Sequence, residues 1–235
     1  MKVAEIRRYP VKSLLGETLP AATVRERGIE GDRLWAVRDA DGKFGSGKNT
    51  RRFRRMAGLF DLSAYGGEPA PTVRLPDGRE FTADDPAAHR AVSAHLGRPV
   101  TLAREAAVPH HDEGPVSLVT TAALARLTGL CGPDPGLDTI DPLRFRANLL
   151  LDLAGPPSFP EDDWPGRVLR IGPRLVLRVV RPLTRCVMID MAQSVAPDRN
   201  DLLKTLADAH DMTFGVFAAV EQPGPVTVGD RCRWA

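Results

Sequence analysis

Apolar and polar residues alternate in short stretches along this chain, and turn-forming residues separate them. Residues 2–9, KVAEIRRY, alternate well enough to predict a strand, after which PVKS turns the chain. DRLWAVRDADGKF predicts two strands joined at a D-G turn, and PTVRLPDGREFT repeats that hairpin design. In DPAAHRAVSAHLG, Asp85 is placed to cap a helix, Pro86 stands at its first position and Gly97 stops it. A short strand is expected at 99–103. The polar stretch EAAVPHHDEG has no periodicity and marks a domain boundary, giving domains of 1–104 and 105–235, with the first strands able to pack with the second domain.

Beyond that break, PVSLVTTAALARLTGL runs from an apolar strand into a helix capped by Thr120 or Thr121. RFRANLLLDLAG predicts a buried strand, and GRVLRIGPRLVLRVVRPLTRCVMID two more that turn at Gly172 and Pro173. PDRNDLLKTLADAHD places Leu202, Leu203 and Leu206 on one face of a helix. FGVFAAVEQPGPVTVGDRCRWA closes the chain with two or three strands. The expected class is α+β and strand-rich, in two parts.

Composition narrows the function classes. A chain of 235 residues, 43% hydrophobic and 26% charged with a net charge of +2, is globular. That balance argues against disorder and whole-surface nucleic-acid binding. No apolar run approaches the roughly 20 residues of a membrane span, and MKVAEIRRYPVKS has no apolar stretch of a secretory signal. Three cysteines, Cys131, Cys186 and Cys232, form no CxxC pair and suggest no disulfide framework. A reduced, cytoplasmic protein is expected.

Several clusters could carry chemistry. Cys186 follows an apolar strand and Arg185, with Arg181 nearby; neighbouring guanidinium charge favours the thiolate, the form that ligates metals. A small cysteine filling a core is the competing reading. Lys12 and Ser13 end a strand, and Arg33 begins another, where a planar fork suits a phosphate; an ordinary turn lysine and a solvated arginine fit as well. Ser117, Thr120 and Thr121 stand at a strand-to-helix junction, a place for an anion or simply for a cap. Arg144, Arg146 and Asn148 are expected on one face of a strand. GKFGSGKN begins like a P-loop, but Asn49 replaces the magnesium-binding hydroxyl and no apolar helix follows, so nucleotide binding is rejected. Lys48, Arg51, Arg52, Arg54 and Arg55 remain as a basic patch, either a solvated face or an attractor of an acidic redox partner or a phosphate tail. HHDE at 110–113 holds potential metal ligands, adjacent rather than helically spaced.

YPVKSLLGE, GIEGDRLWAVRDADGKF, VSLVTTAAL, RFRANLLLD, LTRCVMID and VTVGDRC follow one another in the order of the motifs of MOSC proteins, and the chain resembles that family, the molybdenum-cofactor sulfurase C-terminal fold. The resemblance implies a smaller N-terminal β-barrel-like domain and a MOSC β-barrel-like domain with a few helices, similar to the mitochondrial amidoxime-reducing component and its bacterial counterparts. It implies that Cys186 coordinates molybdenum. Lys12, Ser13 and Arg33 match positions that hold the pterin and its phosphate; Ser117, Thr120, Arg144, Arg146 and Asn148 match the stretches lining the cofactor. Ala147 stands where the family has Pro, and VMIDMAQ replaces the Thr-rich segment common in amidoxime reducers. Asp190 is either a proton donor or an exposed loop acid.

The implied function is a molybdenum-cofactor (Mo-molybdopterin) oxidoreductase that reduces a small N-hydroxylated or N-oxide substrate. Its electrons would come from a separate donor protein, a flavin reductase, ferredoxin or cytochrome b5-like protein, with no nucleic-acid or membrane partner. The alternative is a sulfur or cofactor carrier using a Cys186 persulfide, or the same pocket without turnover. A basic-patch interaction protein is the third reading.

Overall fold

The computed structural model describes residues 1–111, 114–193 and 196–235, and their contacts divide into two compact units. The larger comprises Met1–Arg7, Thr18–Glu30 and Glu113–Ala235; the smaller comprises Arg8–Glu17 and Gly31–Asp112. The division is therefore not a single cut after residue 104. The first strand, Lys2–Arg8, pairs antiparallel with Leu149–Asp152, and its Val3 and Ile6 bury in one core with Leu149 and Leu151.

The larger unit is built on an eight-stranded sheet. Its strand order is Cys232–Trp234, Val168–Ile171, Leu175–Thr184, Thr213–Gln222, Val116–Thr120, Leu149–Asp152, Lys2–Arg8, Glu17–Leu19. Val116–Thr120 and Leu149–Asp152 run parallel. A parallel pair needs a crossover, and α2, Thr121–Cys131, lies in that connection. All five residues of Val116–Thr120 are buried, because both faces are covered. Val116 and Leu118 join the core that includes Val3, Leu177 and Val216; Val119 joins a second with Leu124, Leu127, Leu202 and Leu206 of α2 and α3. Helix α3 spans Leu202–His210, a shorter helix than the amphipathic stretch suggested.

The smaller unit contains both expected hairpins, Trp35–Asp39 with Phe44–Ser46 and Thr72–Arg74 with Glu80–Thr82; Gly42 and Gly78 supply the positive φ that their turns require. Val11–Lys12 adds to Trp35–Asp39 in parallel. Helix α1, Pro86–Leu96, starts at the Asp85 cap, whose carboxylate accepts from the Ala87 N–H, and ends at left-handed Gly97. Val92 and Ala88 of α1 share a core with Val37, Leu59 and Leu102. GKFGSGKN forms a strand and turn with no helix after it, in agreement with the rejected P-loop. Among the described residues, no helix is long and apolar enough to cross a membrane.

Candidate functional site

The Leu175–Thr184 strand ends two residues before Cys186. Arg185 then fastens the chain. Its guanidinium donates from Nε to the Phe214 carbonyl at 2.8 Å and from Nη1 to the Phe145 carbonyl at 2.8 Å. Its backbone N–H donates to the Met212 carbonyl at 2.7 Å. Cys186, half-buried and in extended backbone, opens the short 3-10 turn Val187–Ile189. The expected strand through CVMID is thus cut short at Thr184. Gly215 completes the corner: at φ 73°, an added Cβ there would stand 2.4 Å from the Leu118 carbonyl oxygen.

The segment after Cys186 hangs on buried polar groups. Arg144 donates to both Asp134 carboxylate oxygens, at 2.7 Å each, and to the carbonyls of Ile189, Met191 and Pro197. Burial works against the Asp134 charge, but Arg144 holds its carboxyl below the usual range. Gln193 donates to the Met188 carbonyl. Asp190 accepts from the Leu202 and Leu203 N–H groups, so this buried carboxylate caps α3 and is not an exposed loop acid. Arg199 joins Asp201, Asp134 and the carbonyls of residues 131–133; the Asp201 carboxylate raises its pKa.

This geometry corrects the local reading of RFRANLL. Pro142–Phe145 is a 3-10 turn capped by Asp141, Arg146 takes a left-handed φ of 51°, and the strand begins at Leu149. Arg144 and Arg146 therefore do not line one strand face. Every N–H of the Arg144 guanidinium group is spent on protein acceptors, which makes it a strut for the 187–197 segment. Asn148 and Ser117 join each other: Asn148 Oδ1 accepts from the Ser117 N–H and hydroxyl, and its Nδ2 donates to the Arg7 carbonyl. Thr120 caps α2 through Ala123, while its own N–H donates to Glu161. Burial pushes the Glu161 carboxyl above its usual range.

Within the smaller unit, Asp32 organises Tyr9 and Arg33. The Asp32 carboxylate accepts from the Tyr9 N–H and pairs with Arg33, whose guanidinium stands 4.9 Å from the Tyr9 ring. Lys12 is buried, with Nζ donating to the His110 carbonyl at 2.8 Å; Ser13 is buried beside it in the chain. His110 itself is buried against Phe44, while Asp112 and Glu113 of HHDE lie outside the described residues.

One signal invisible to sequence patterning marks three of the candidates. Only five described non-glycine residues have positive φ, and Ser13, Arg33 and Arg146 are among them. Such backbone costs of order 1–3 kcal/mol and persists where the surroundings impose it, commonly at functional sites. The other two, Asp211 and Met212, form the turn that receives the Arg185 N–H. Burial raises the Cys131 thiol, and pushes Cys232, inside the larger core, to about 12. Neither favours the thiolate.

Comparison with known proteins agrees with this architecture. The family model for the MOSC domain matches residues 95–233, and that for the MOSC N-terminal beta barrel domain matches residues 1–66. The YuaD protein from Bacillus subtilis has a similar fold at 16% identity and a TM-score of 0.53, with 98% of this chain and 93% of that one covered. YiiM from Geobacillus stearothermophilus aligns over 52% of this chain and 54% of its own at 15% identity, with a TM-score of 0.39. No curated protein matches the sequence. Two family models in chain order, over a strand-rich fold that presents a half-buried cysteine after its long strand, place the chain in the MOSC domain family.

Proposed function

We propose that this protein is a molybdenum-cofactor-dependent oxidoreductase that reduces N-hydroxylated or N-oxide compounds, drawing electrons from a separate donor protein. The observation that carries the reading is the Cys186 corner: the thiol is half-buried and directly follows Arg185 in the chain, whose guanidinium is held by carbonyls of Phe145 and Phe214. A thiolate is a soft, anionic ligand suited to such a metal. Among the described residues, no group of three His, Cys, Asp or Glu stands together to hold a metal ion. A metal on Cys186 would then take its further ligands from outside the protein, and the dithiolene of a pterin has that chemistry. The residues present fit the group on this ground.

When bound, the cofactor supplies the two-electron chemistry that removes oxygen from an N–O bond. Cys186 would hold it by sulfur, and Arg185 would keep that sulfur in place. Lys12, Ser13 and Arg33 are the candidates for the pterin and its phosphate, and Arg146 is a candidate for lining the cofactor. Arg144, Ser117, Thr120 and Asn148 act one step back, by fixing backbone.

The test is metal and pterin analysis of protein made in a host that synthesises the cofactor, wild type beside Cys186→Ala. Near-stoichiometric molybdenum in the wild type, lost with turnover of N-hydroxylated substrates in a folded mutant, is the expected result. Wild-type turnover in the mutant would refute the ligand assignment. A metal-free wild type with a persulfide on Cys186 would make the protein a sulfur carrier.

A further inference from the structure

We propose that Arg38, Lys48 and Arg52 form a binding site for a small anion, a carboxylate or phosphate group, around the Phe44 and Phe53 rings of the smaller unit. Between Asp41 and Asp61 the chain carries six cations, Lys43, Lys48, Arg51, Arg52, Arg54 and Arg55, and no acid. Among the described residues, carboxylates pair with Arg54 alone of the last five, through Asp39 and Asp41. Arg38 Nη2 stands 3.0 Å from the His110 Nε2, and Arg52 donates to the carbonyls of Pro109 and His111. Among the described residues, Lys48 meets no hydrogen-bond partner, and the Phe53 ring stands 5.5 Å away. Among the described residues, no carboxylate forms an ion pair with Arg38, Lys48 or Arg52.

These cations nevertheless converge. The Phe44 and Phe53 rings are 6.3 Å apart. Arg38 stands 4.6 Å from the Phe44 centroid, and Arg52 stands 5.2 and 5.6 Å from the two rings. Lys12 approaches the same rings at 5.9 and 5.4 Å. An aromatic face attracts a cation by about 0.5–1 kcal/mol but cancels none of its charge. Long flexible cations left to themselves would separate into water, where repulsion is weaker and rotamers are freer. Held together half-buried, they create a concentrated positive potential that an anion would relieve. Arg51 and Arg55, exposed on the same stretch of chain, add to that field. The two fork-shaped guanidiniums suit the paired oxygens of a carboxylate or phosphate, and the ammonium supplies a point charge.

The experiment titrates inorganic phosphate, and separately acetate, into the full chain at ionic strength held constant with chloride, following backbone amide resonances. Saturable shifts centred on residues 42–55 are expected, with affinity reduced at least tenfold in Lys48→Met and unchanged in Arg90→Gln, an exposed control on α1. Lys48 meets no hydrogen-bond partner among the described residues, so its loss leaves the fold in place, which circular dichroism checks. Shifts no greater than those from chloride, or identical in Lys48→Met, overturn the proposal. Binding of an acidic peptide or single-stranded oligonucleotide at residues 42–55, without binding of phosphate or acetate, would overturn it in favour of a docking surface. The titration needs no cofactor, so its failure and failure of the Cys186 reading are separate results.

Discussion

The Cys186 corner and the surroundings of the Phe44 and Phe53 rings are both rich in arginine, and they use it in opposite ways. Around Cys186, Arg144, Arg185 and Arg199 have buried or half-buried guanidiniums saturated by carboxylates and carbonyls of the protein. Around those rings, Arg38, Lys48 and Arg52 meet aromatic faces, a histidine nitrogen and backbone carbonyls. A saturated cation shapes backbone; one with its charge uncompensated remains available to a ligand. The lesson is that the number of basic residues near a candidate site says little until their acceptors are known.

That contrast can be broken most forcefully at Arg144. Arg144→Met leaves the fully buried Asp134 carboxylate without its main partner, at a cost of about 3–5 kcal/mol measured by urea unfolding. The same pair makes stability sensitive to acid. Because the folded Asp134 pKa lies below its ordinary value, the contribution is full above that ordinary value and falls away as pH drops through the folded one. An Arg144→Met protein as stable as wild type would make the two regions alike. Next in size is Gly215→Ala, whose Cβ meets the Leu118 carbonyl at 2.4 Å and Val119 at 2.8 Å in a left-handed backbone. We expect a loss of about 1–3 kcal/mol, read by the same unfolding, and altered alkylation of Cys186 because the Arg185 fastening shifts.

The smallest effect sharpens the comparison through a histidine. His210 stacks on Phe159 and bridges Asp162 and the Thr213 carbonyl. Burial opposes its cation, yet the Asp162 carboxylate and the Thr213 carbonyl raise its pKa. This contribution to stability is full below the unfolded histidine's pKa and disappears as pH rises through the raised folded value. Solvent screening limits it to less than about 1 kcal/mol. Thermal unfolding from pH 5 to 8 should lose this slope in Asp162→Asn, and an unchanged slope would assign it to another group.

Much of the fold was legible from local chemistry. The D-G hairpins, the α1 boundaries at Asp85 and Gly97, and the Thr120 cap follow from residues adjacent in sequence, whose backbone preferences act alone. Family order likewise pointed to Cys186 before any contact was known. RFRANLL misled because its alternation resembles a strand, while the buried Arg144–Asp134 pair draws the chain into a 3-10 turn and a left-handed Arg146. Asp134 sits in the aperiodic CGPDPGLD loop, and Asp190 reaches α3 across 12 residues; neither leaves a local trace. By itself, then, the sequence determined most of the elements, their caps and the family, and it singled out Cys186 as a candidate. Tertiary structure alone decided which charges are saturated and which backbone is held left-handed, because both depend on acceptors brought together from distant parts of the chain.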